Sequence, residues 1–196
     1  MADPGYIVDG VLTDGEAWVG LQSTTTTDDT TAIITFTSTD DGQVGDWSQY
    51  MDLVLIIYGR NARADVGTTS FTMRFNNDTA GNYAYQKLVG NGSTATAATS
   101  AAASSIYIGE VPKDNVTANI FAGAVAHCFD INSGKYKSVT SMGAADRDGA
   151  GSVVLVGSTW RNQAPITEID LYSDPSYNWK SGSRIDLFGI LPRMVA

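Results

Sequence analysis

The sequence predicts an all-β fold, an antiparallel β-sandwich of two sheets with about ten strands. Short apolar or alternating segments recur at intervals of roughly 8–15 residues and are separated by clusters of Gly, Asn, Asp and Ser. No amphipathic helical pattern is long enough to connect two parallel strands by a crossover. Antiparallel pairing between two packed sheets is the arrangement that these observations favour.

The stretch 71–92 is the clearest single element. Apolar and polar residues alternate strictly over 71–75, which predicts a strand with one apolar face and one wet face. Residues 76–82 are turn formers, and 83–88 reads as the returning strand. Together these segments predict a β-hairpin with a loop of about seven residues, longer than the common kind.

Eight further segments complete the predicted strands. In the segment 53–58 both faces are apolar, which fits a central strand covered on both sides, although periodicity alone also fits a buried helical turn. The eight segments are 31–37, 53–58, 105–109, 119–129, 136–142, 153–160, 166–172 and 184–191.

Three stretches lack a clear strand pattern. Residues 1–20 are apolar but rich in glycine, and we expect an N-terminal arm packed on its own domain or on a neighbouring subunit. A single β-sandwich domain would then cover 21–196. The Thr/Ser run within 21–29 fits a linker or a wet edge strand. The Ala/Ser/Thr stretch 93–105 predicts an exposed loop, either a contact surface or a flexible spacer.

Composition excludes several classes of partner. A formal net charge of −9, with 12 Lys and Arg against 21 Asp and Glu, argues against binding to nucleic acid. No apolar run reaches the roughly 18 residues that span a bilayer, and no secretory signal pattern is present at the N-terminus. The single cysteine, Cys128, excludes an internal disulfide and lies in an apolar run, so we expect an inert buried thiol.

No residue pattern predicts catalysis, a metal site or a cofactor, and we expect a protein that is not an enzyme. His127 and Cys128 are adjacent in a predicted strand and would point to opposite faces. Residues 146–149 form only a fragment of a calcium loop, without the distal Glu, so a solvated turn is favoured. Glu168 and Asp170 could form a carboxylate pair for sugar hydrolysis, but they also fit the wet face of an outer strand.

Aromatic and apolar residues supply the candidate partner contacts. In the polar loop after 166–172, Tyr177 and Trp179 could present ring faces to a sugar or to a protein, or could form a hydrophobic plug. The arm adds further apolar side chains. The candidate contacts are Tyr6, Ile7, Val8, Trp18, Tyr177 and Trp179.

The motifs of the hairpin also carry a resemblance. Arg74-Phe75-Asn76, then Asp78-Thr79 with Asn82-Tyr83, and the exit Gly90-Asn91-Gly92-Ser93 resemble a group of tailed-bacteriophage virion proteins. The segments 50–55 and 184–190 resemble the same group. Membership would imply a jelly-roll-like β-sandwich. These motifs are structural punctuation and not active-site signatures.

The resemblance implies a structural role in a virion made in the host cytoplasm. We expect a capsid decoration (cement) protein that binds across capsid subunits, with the major capsid protein and other virion proteins as partners. A homo-oligomer is expected, with a trimer as one arrangement, and neither nucleic acid nor membrane is an expected partner. The alternatives are a receptor-binding or fibre-head module that recognises a host surface glycan and, from another class, a glycan-degrading enzyme.

Overall fold

The regular secondary structure of the described residues consists of antiparallel β-strands and one short 3-10 turn. The computed structural model of the chain describes residues 17–191 and, as backbone only, two short paired strands, Ile7–Val8 (β1) and Val11–Leu12 (β2). The described residues contain twelve further strands: β3 (Trp18–Thr25), β4 (Ile33–Thr37), β5 (Asp52–Gly59), β6 (Thr68–Phe75), β7 (Tyr83–Gly90), β8 (Ala95–Ala103), β9 (Ile106–Pro112), β10 (Ala122–Phe129), β11 (Lys137–Asp146), β12 (Gly151–Trp160), β13 (Glu168–Tyr172) and β14 (Arg184–Ile190). A single 3-10 turn, Trp47–Gln49, precedes β5. Within these residues no helix could cross a membrane.

The strands form two sheets with the connectivity of a jelly roll. The larger sheet has the order β3-β14-β5-β10-β11-β12-β7-β8, and the smaller has the order β4-β13-β6-β9. The strands β3, β5, β10 and β14 lie side by side in one sheet, while β4, β6, β9 and β13 form the other. Along the chain these eight strands change sheet at every step except from β6 to β9, which pair with each other within the smaller sheet. Two four-stranded sheets connected in this way are a jelly roll.

Two inserted hairpins widen the larger sheet. The pair β7 and β8 lies between β6 and β9 in sequence, and the pair β11 and β12 lies between β10 and β13. In space β11, β12, β7 and β8 continue the sheet beyond β10. The sandwich is therefore eight strands wide on one side and four on the other.

The predicted all-β sandwich of two antiparallel sheets is confirmed, and each of the ten predicted strands is present. The prediction that 71–75 and 83–88 pair as a β-hairpin was wrong, because β6 and β7 lie in different sheets and the residues between them connect the two layers of the sandwich. The prediction of a loop over 93–105 was wrong, because Ala95–Ala103 forms β8 and pairs with β7. The Thr/Ser run after residue 20 belongs to an edge strand, β3, which begins at Trp18 within the predicted arm.

The core is the apolar layer between the two sheets. Side chains from both sheets pack in one cluster, and large rings dominate it. Trp160 stacks on Tyr83 with ring centroids 6.4 Å apart and lies 5.4 Å from the ring of Phe75. Burying one large apolar side chain contributes about 1.5–3 kcal/mol, so this layer is the main source of stability. The fully buried large side chains include Trp47, Trp160, Trp179, Tyr83, Phe36, Phe71 and Phe75.

Asp78 fixes the loop by which the chain crosses from β6 in the smaller sheet to β7 in the larger sheet. Its Oδ1 accepts a hydrogen bond from the backbone N–H of Ala80 (3.0 Å), and its Oδ2 accepts from Nδ2 of Asn82 (2.9 Å) and Nε1 of Trp160 (2.8 Å). Partial burial acts to raise the pKa of the Asp78 carboxyl, but these hydrogen bonds outweigh it and leave the pKa below its ordinary value. The loop is thereby attached to the core tryptophan.

Arg60 holds the loop that leads into β10. Its side chain is buried, and its guanidinium donates four hydrogen bonds to backbone carbonyls of residues 114–120. The Nε atom also lies 3.6 Å from Oδ1 of Asp114. A planar cation with several donors suits such a ring of carbonyls, whereas an ammonium group lacks the fork geometry. The four carbonyl oxygens belong to Asp114 (2.6 Å), Thr117 (3.0 Å), Val116 (3.1 Å) and Ile120 (3.2 Å).

Replacing Arg60 with methionine should lower the free energy of unfolding by about 3 kcal/mol or more, because buried carbonyls would lose their donors. Urea unfolding followed by tryptophan fluorescence measures this loss. Arg60→Lys should recover only part of it. The matched change Arg184→Met, at an exposed site, should cost less than about 1 kcal/mol. Equal losses for Arg60→Met and Arg184→Met would contradict this role of Arg60.

Asp78→Asn should reduce the loss of unfolding free energy at acidic pH. Because the pKa of Asp78 is lowered by folding, its ionised form stabilises the native state above its ordinary pKa of 3.8, and this contribution is lost as the pH falls below that value. Urea unfolding between about pH 6 and pH 3 should therefore show a smaller loss for Asp78→Asn than for the wild type. Asn82→Ala, which removes one donor, should shift the profile in the same direction by less. An unchanged profile for Asp78→Asn would rule out this contribution.

Candidate interaction surface

A row of exposed apolar side chains crosses the outer face of the larger sheet, on the side away from the smaller sheet. The pairing register places Ile56, Val125, Met142, Leu155 and Leu88 side by side on the adjacent strands β5, β10, β11, β12 and β7. These side chains are 36–63% exposed. Five strands at a spacing of about 4.8 Å make this row about 19 Å long. We refer to these five residues as the apolar stripe.

A shallow groove of about 510 Å³ adjoins the stripe. Tyr58 and Val153, which are 45% and 61% exposed, form part of its walls two residues along β5 and β12 from the stripe. Gly123 lies between them on β10, and a Cβ atom placed there would meet no other atom within 4 Å. The groove is therefore open over bare backbone, which allows a partner to approach the sheet closely.

Few charges lie on this face. Among the outward-facing residues of β10, β11, β12, β7 and β8, the ionisable ones are Asp146, at the end of β11, and His127. On β14, beside Ile56 at the end of the stripe, Asp186 forms an ion pair with Arg184 (3.1 Å), which borders the groove. On a chain with net charge −9, this low charge density makes the outer face the part of the larger sheet that is most easily desolvated.

The residues predicted in the N-terminal arm are only partly described. Tyr6 lies outside the described residues, and Ile7 and Val8 are described as backbone in β1, paired with β2. Trp18 begins β3 and is 48% exposed, with its ring 6.0 Å from that of Phe188. It lies on the edge strand at the other side of the sheet from β8, two strands away from β5, on which the apolar stripe begins.

The predicted aromatic pair in the loop after β13 is divided between surface and core. Tyr177 is 40% exposed, and the guanidinium of Arg63 lies 4.8 Å from its ring centroid. Trp179 is completely buried and donates a hydrogen bond from Nε1 to the carbonyl of Leu171 (3.2 Å). Its ring fits over β5 because residue 59 is glycine, where a Cβ atom would lie 2.7 Å from the indole. The hydrophobic plug is the interpretation that fits Trp179, whose ring is not available to a partner.

His127 and Cys128 point to opposite faces of β10, as the sequence predicts. On the outer face, Nε2 of His127 lies 2.8 Å from Oδ2 of Asp52, and the imidazole stacks on Phe129 with centroids 3.9 Å apart. Asp52 also accepts a hydrogen bond from the backbone N–H of Asp130 (2.7 Å). Cys128 is fully buried in the core, where burial raises the pKa of its thiol.

The acidic candidates are structural residues. Asp170 is buried and accepts a hydrogen bond from the hydroxyl of Thr35 (2.6 Å), so the prediction that it lies on the wet face of an outer strand was wrong. The reason is that β13 lies between β4 and β6. Burial and the nearby Asp170 raise the pKa of Glu168, whose Oε1 accepts from Nδ2 of Asn77 (2.5 Å). The described residues contain no cluster of three metal-binding side chains.

Comparison of the sequence with protein-family models and with curated proteins gives no match in either set. The resemblance to phage virion proteins therefore stays a prediction that depends on the motifs quoted above.

Sequence reasoning missed the apolar stripe as a unit. Its signal was present in 53–58, where both faces are apolar, and in the apolar run of 153–156. The alignment of single side chains from five strands depends on the register of four strand pairs, which the sequence pattern does not give.

Cys128 should be unreactive towards a thiol reagent such as DTNB in the native protein, because it is buried and its pKa is raised. In denaturant the chain should release one equivalent, since it contains one cysteine. Absorbance of the released chromophore at about 412 nm measures the reactive thiol in both states. Rapid reaction of the native protein would show that the thiol is accessible and would contradict its place in the core.

Proposed function

We propose that this protein is a structural component of a symmetric protein assembly, a decoration protein of a virion shell, and that it binds neighbouring subunits through the apolar stripe. The observation that carries the proposal is the row of exposed, uncharged side chains across five strands. Contiguous exposed apolar surface of this kind marks sites of interaction with other macromolecules.

The hydrophobic pattern of the strands supports a covered outer face. In an antiparallel sandwich the outer face is normally polar, so that apolar and polar residues alternate along each strand. Here β5 and β12 carry apolar residues on both faces, and the described chain leaves Ile56, Tyr58, Val153 and Leu155 of the outer face exposed, although it buries Val54 at the other end of β5. A partner on the outer face would complete the burial that this pattern indicates.

The magnitude of the available burial favours repeated contacts over a single strong one. Complete burial of a large apolar side chain contributes about 1.5–3 kcal/mol. Five such residues, each roughly half exposed, would then give about 4–7 kcal/mol, near the lower end of the cost of association, about 4–15 kcal/mol. One stripe alone gives weak binding. Many copies on a symmetric shell, each engaged more than once, would give stable attachment.

The partner should present an apolar surface with few acidic groups. The chain carries 21 acidic residues, so an acidic partner would be repelled as it approaches. The stripe itself has no charge to neutralise, and a partner residue with an unpaired charge would be desolvated there at a cost. A shell of major capsid protein subunits is the partner that this proposal names.

The glycan-binding alternative has less support in the described residues. It depends on a pair of aromatic faces at Tyr177 and Trp179, and Trp179 is buried. One exposed ring, with Arg63 against it, provides a smaller platform for stacking than two rings do. The apolar stripe is consequently the better supported contact surface.

Leu155→Glu should abolish attachment to the shell, since it places a charge in the middle of the stripe at an exposed position where the fold can tolerate it. Particles of the phage that encodes the chain, stripped of this protein, would be mixed with purified wild type or variant and separated on a gradient. Quantitative gel densitometry should give on the order of hundreds of wild-type copies per particle, because a shell repeats its binding sites by symmetry. It should give at least tenfold fewer copies for Leu155→Glu.

Val66→Glu is the matched control, because Val66 is also apolar and 66% exposed but lies outside the larger sheet, between β5 and β6. It should bind like the wild type. A few wild-type copies per particle would indicate a fibre or collar component and defeat the proposed shell location. Full binding by Leu155→Glu would show that the stripe is not the contact.

A further inference from the structure

The strand β8 forms an open edge of the larger sheet. It pairs with β7 on one side and has no neighbour among the described residues on the other. An edge strand of this kind presents a row of free backbone N–H and C=O groups, which can pair with a strand of another chain.

β8 lacks the packing that normally stabilises a strand. Seven of its nine residues are exposed, and the two partly covered ones are Ser100 and Ala103. Alanine, which makes up most of the strand, has low β propensity, so side chains contribute little to its formation. In the single chain the strand depends on hydrogen bonds to β7. A strand on its free side would satisfy the remaining backbone groups.

The other three edge strands of the two sandwich sheets carry features that discourage pairing. The pairing of β3 with β14 is interrupted by an irregularity at Leu187 and Phe188. β4 is only five residues long, and β9 contains Glu110 and Pro112. Short length, bulges, charges and proline are the devices by which natural sheets protect their edges. β8 has no charge and no proline. Its pairing with β7 also shifts register, between Tyr83 and Tyr85, but the six residues 95–100 pair without interruption.

Charge indicates which chain could pair with β8. The 22 residues from 88 to 109 contain no Asp, Glu, Lys or Arg, although the whole chain has a net charge of −9. Two copies of an acidic chain repel one another over most of their surfaces. They can approach closely at an uncharged edge, so β8 can pair with a strand of a second copy of this chain.

We propose that β8 pairs antiparallel with β8 of a second copy, and that the two larger sheets join into one continuous sheet of sixteen strands. Both copies then use the same surface, as in the commonest kind of symmetric dimer. The two-fold axis is perpendicular to the sheet, because antiparallel strands of one sheet are related in this way. This dimer does not depend on the proposed attachment to a shell.

Ala98→Glu should weaken the dimer at least tenfold. Ala98 is exposed and lies opposite Lys87 in the register with β7, so the single chain can accommodate the new carboxylate. In the dimer two such carboxylates would lie close together across the axis, and like charges across paired strands are destabilising. Sedimentation equilibrium of the full chain should give twice the monomer mass of 20.8 kDa for the wild type at micromolar concentration. Ala98→Glu should give the monomer mass under the same conditions.

Gln22→Glu is the matched control, since it adds the same charge to the other edge of the same sheet, on β3. It should dimerise like the wild type, and so should Leu155→Glu. Equal weakening by Gln22→Glu would indicate pairing of β8 with β3 and overturn the symmetric dimer. A monomeric or trimeric wild type, or a dimer lost in Leu155→Glu but not in Ala98→Glu, would also overturn it.

Single cysteines provide a geometric test. A residue on the two-fold axis lies opposite its own copy, with Cβ atoms about 4.5–5.5 Å apart. Cysteine placed in turn at Thr96, Ala97, Ala98 and Thr99 should form an interchain disulfide under mild oxidation at one or two of these positions only. The buried native cysteine gives little background. Absence of cross-linking at all four positions, with the wild type dimeric, would place the contact elsewhere.

Discussion

Burial of one shared apolar layer between a wide sheet and a narrow sheet is the constraint on which the structure depends. The narrow sheet, with four strands, covers the inner face of the jelly-roll strands β14, β5 and β10 and part of the extension formed by β11, β12, β7 and β8. On the extension, Tyr107 of β9 packs against Val154 and Val156 of β12 in a second cluster. The chain has no third layer among its described residues, so the outer face of the wide sheet stays open and its apolar residues stay in contact with water.

The strands were predictable from sequence where side-chain pattern determines them. Strict alternation in 71–75 and the apolar run in 53–58 reflect burial, and both became strands at the predicted places. β8 was not predictable in this way, because its Ala, Ser and Thr residues bury almost nothing and the strand is specified by backbone pairing with β7. The burial of Trp179 depends on Gly59, 120 residues earlier, and proximity of this kind is not visible in a local pattern.

The residues of the motifs that carry the phage resemblance have structural roles in this fold. Asp78 and Asn82 close the loop between β6 and β7, and Tyr83 lies in the core. Asn76 adopts a left-handed backbone conformation (φ 50°), and its side-chain amide bonds to Pro165 and to the backbone of Glu168 at the start of β13. Residues with these tasks specify a scaffold. They therefore carry little information about partners, which are indicated instead by the surface that the scaffold leaves uncovered.

The two proposed contacts are geometrically independent and can act together. Pairing at β8 extends the sheet within its own plane, whereas the apolar stripe faces along the normal to that plane. A two-fold axis perpendicular to the sheet keeps the outer faces of both copies on the same side, so the dimer would present two stripes to one surface. If each stripe alone binds weakly, linking two of them raises the apparent affinity by about 10²–10⁴ without any new contact. The single apolar contact of this acidic chain is small. Dimerisation through an uncharged edge would double that contact and so allow stable attachment to a repeating surface.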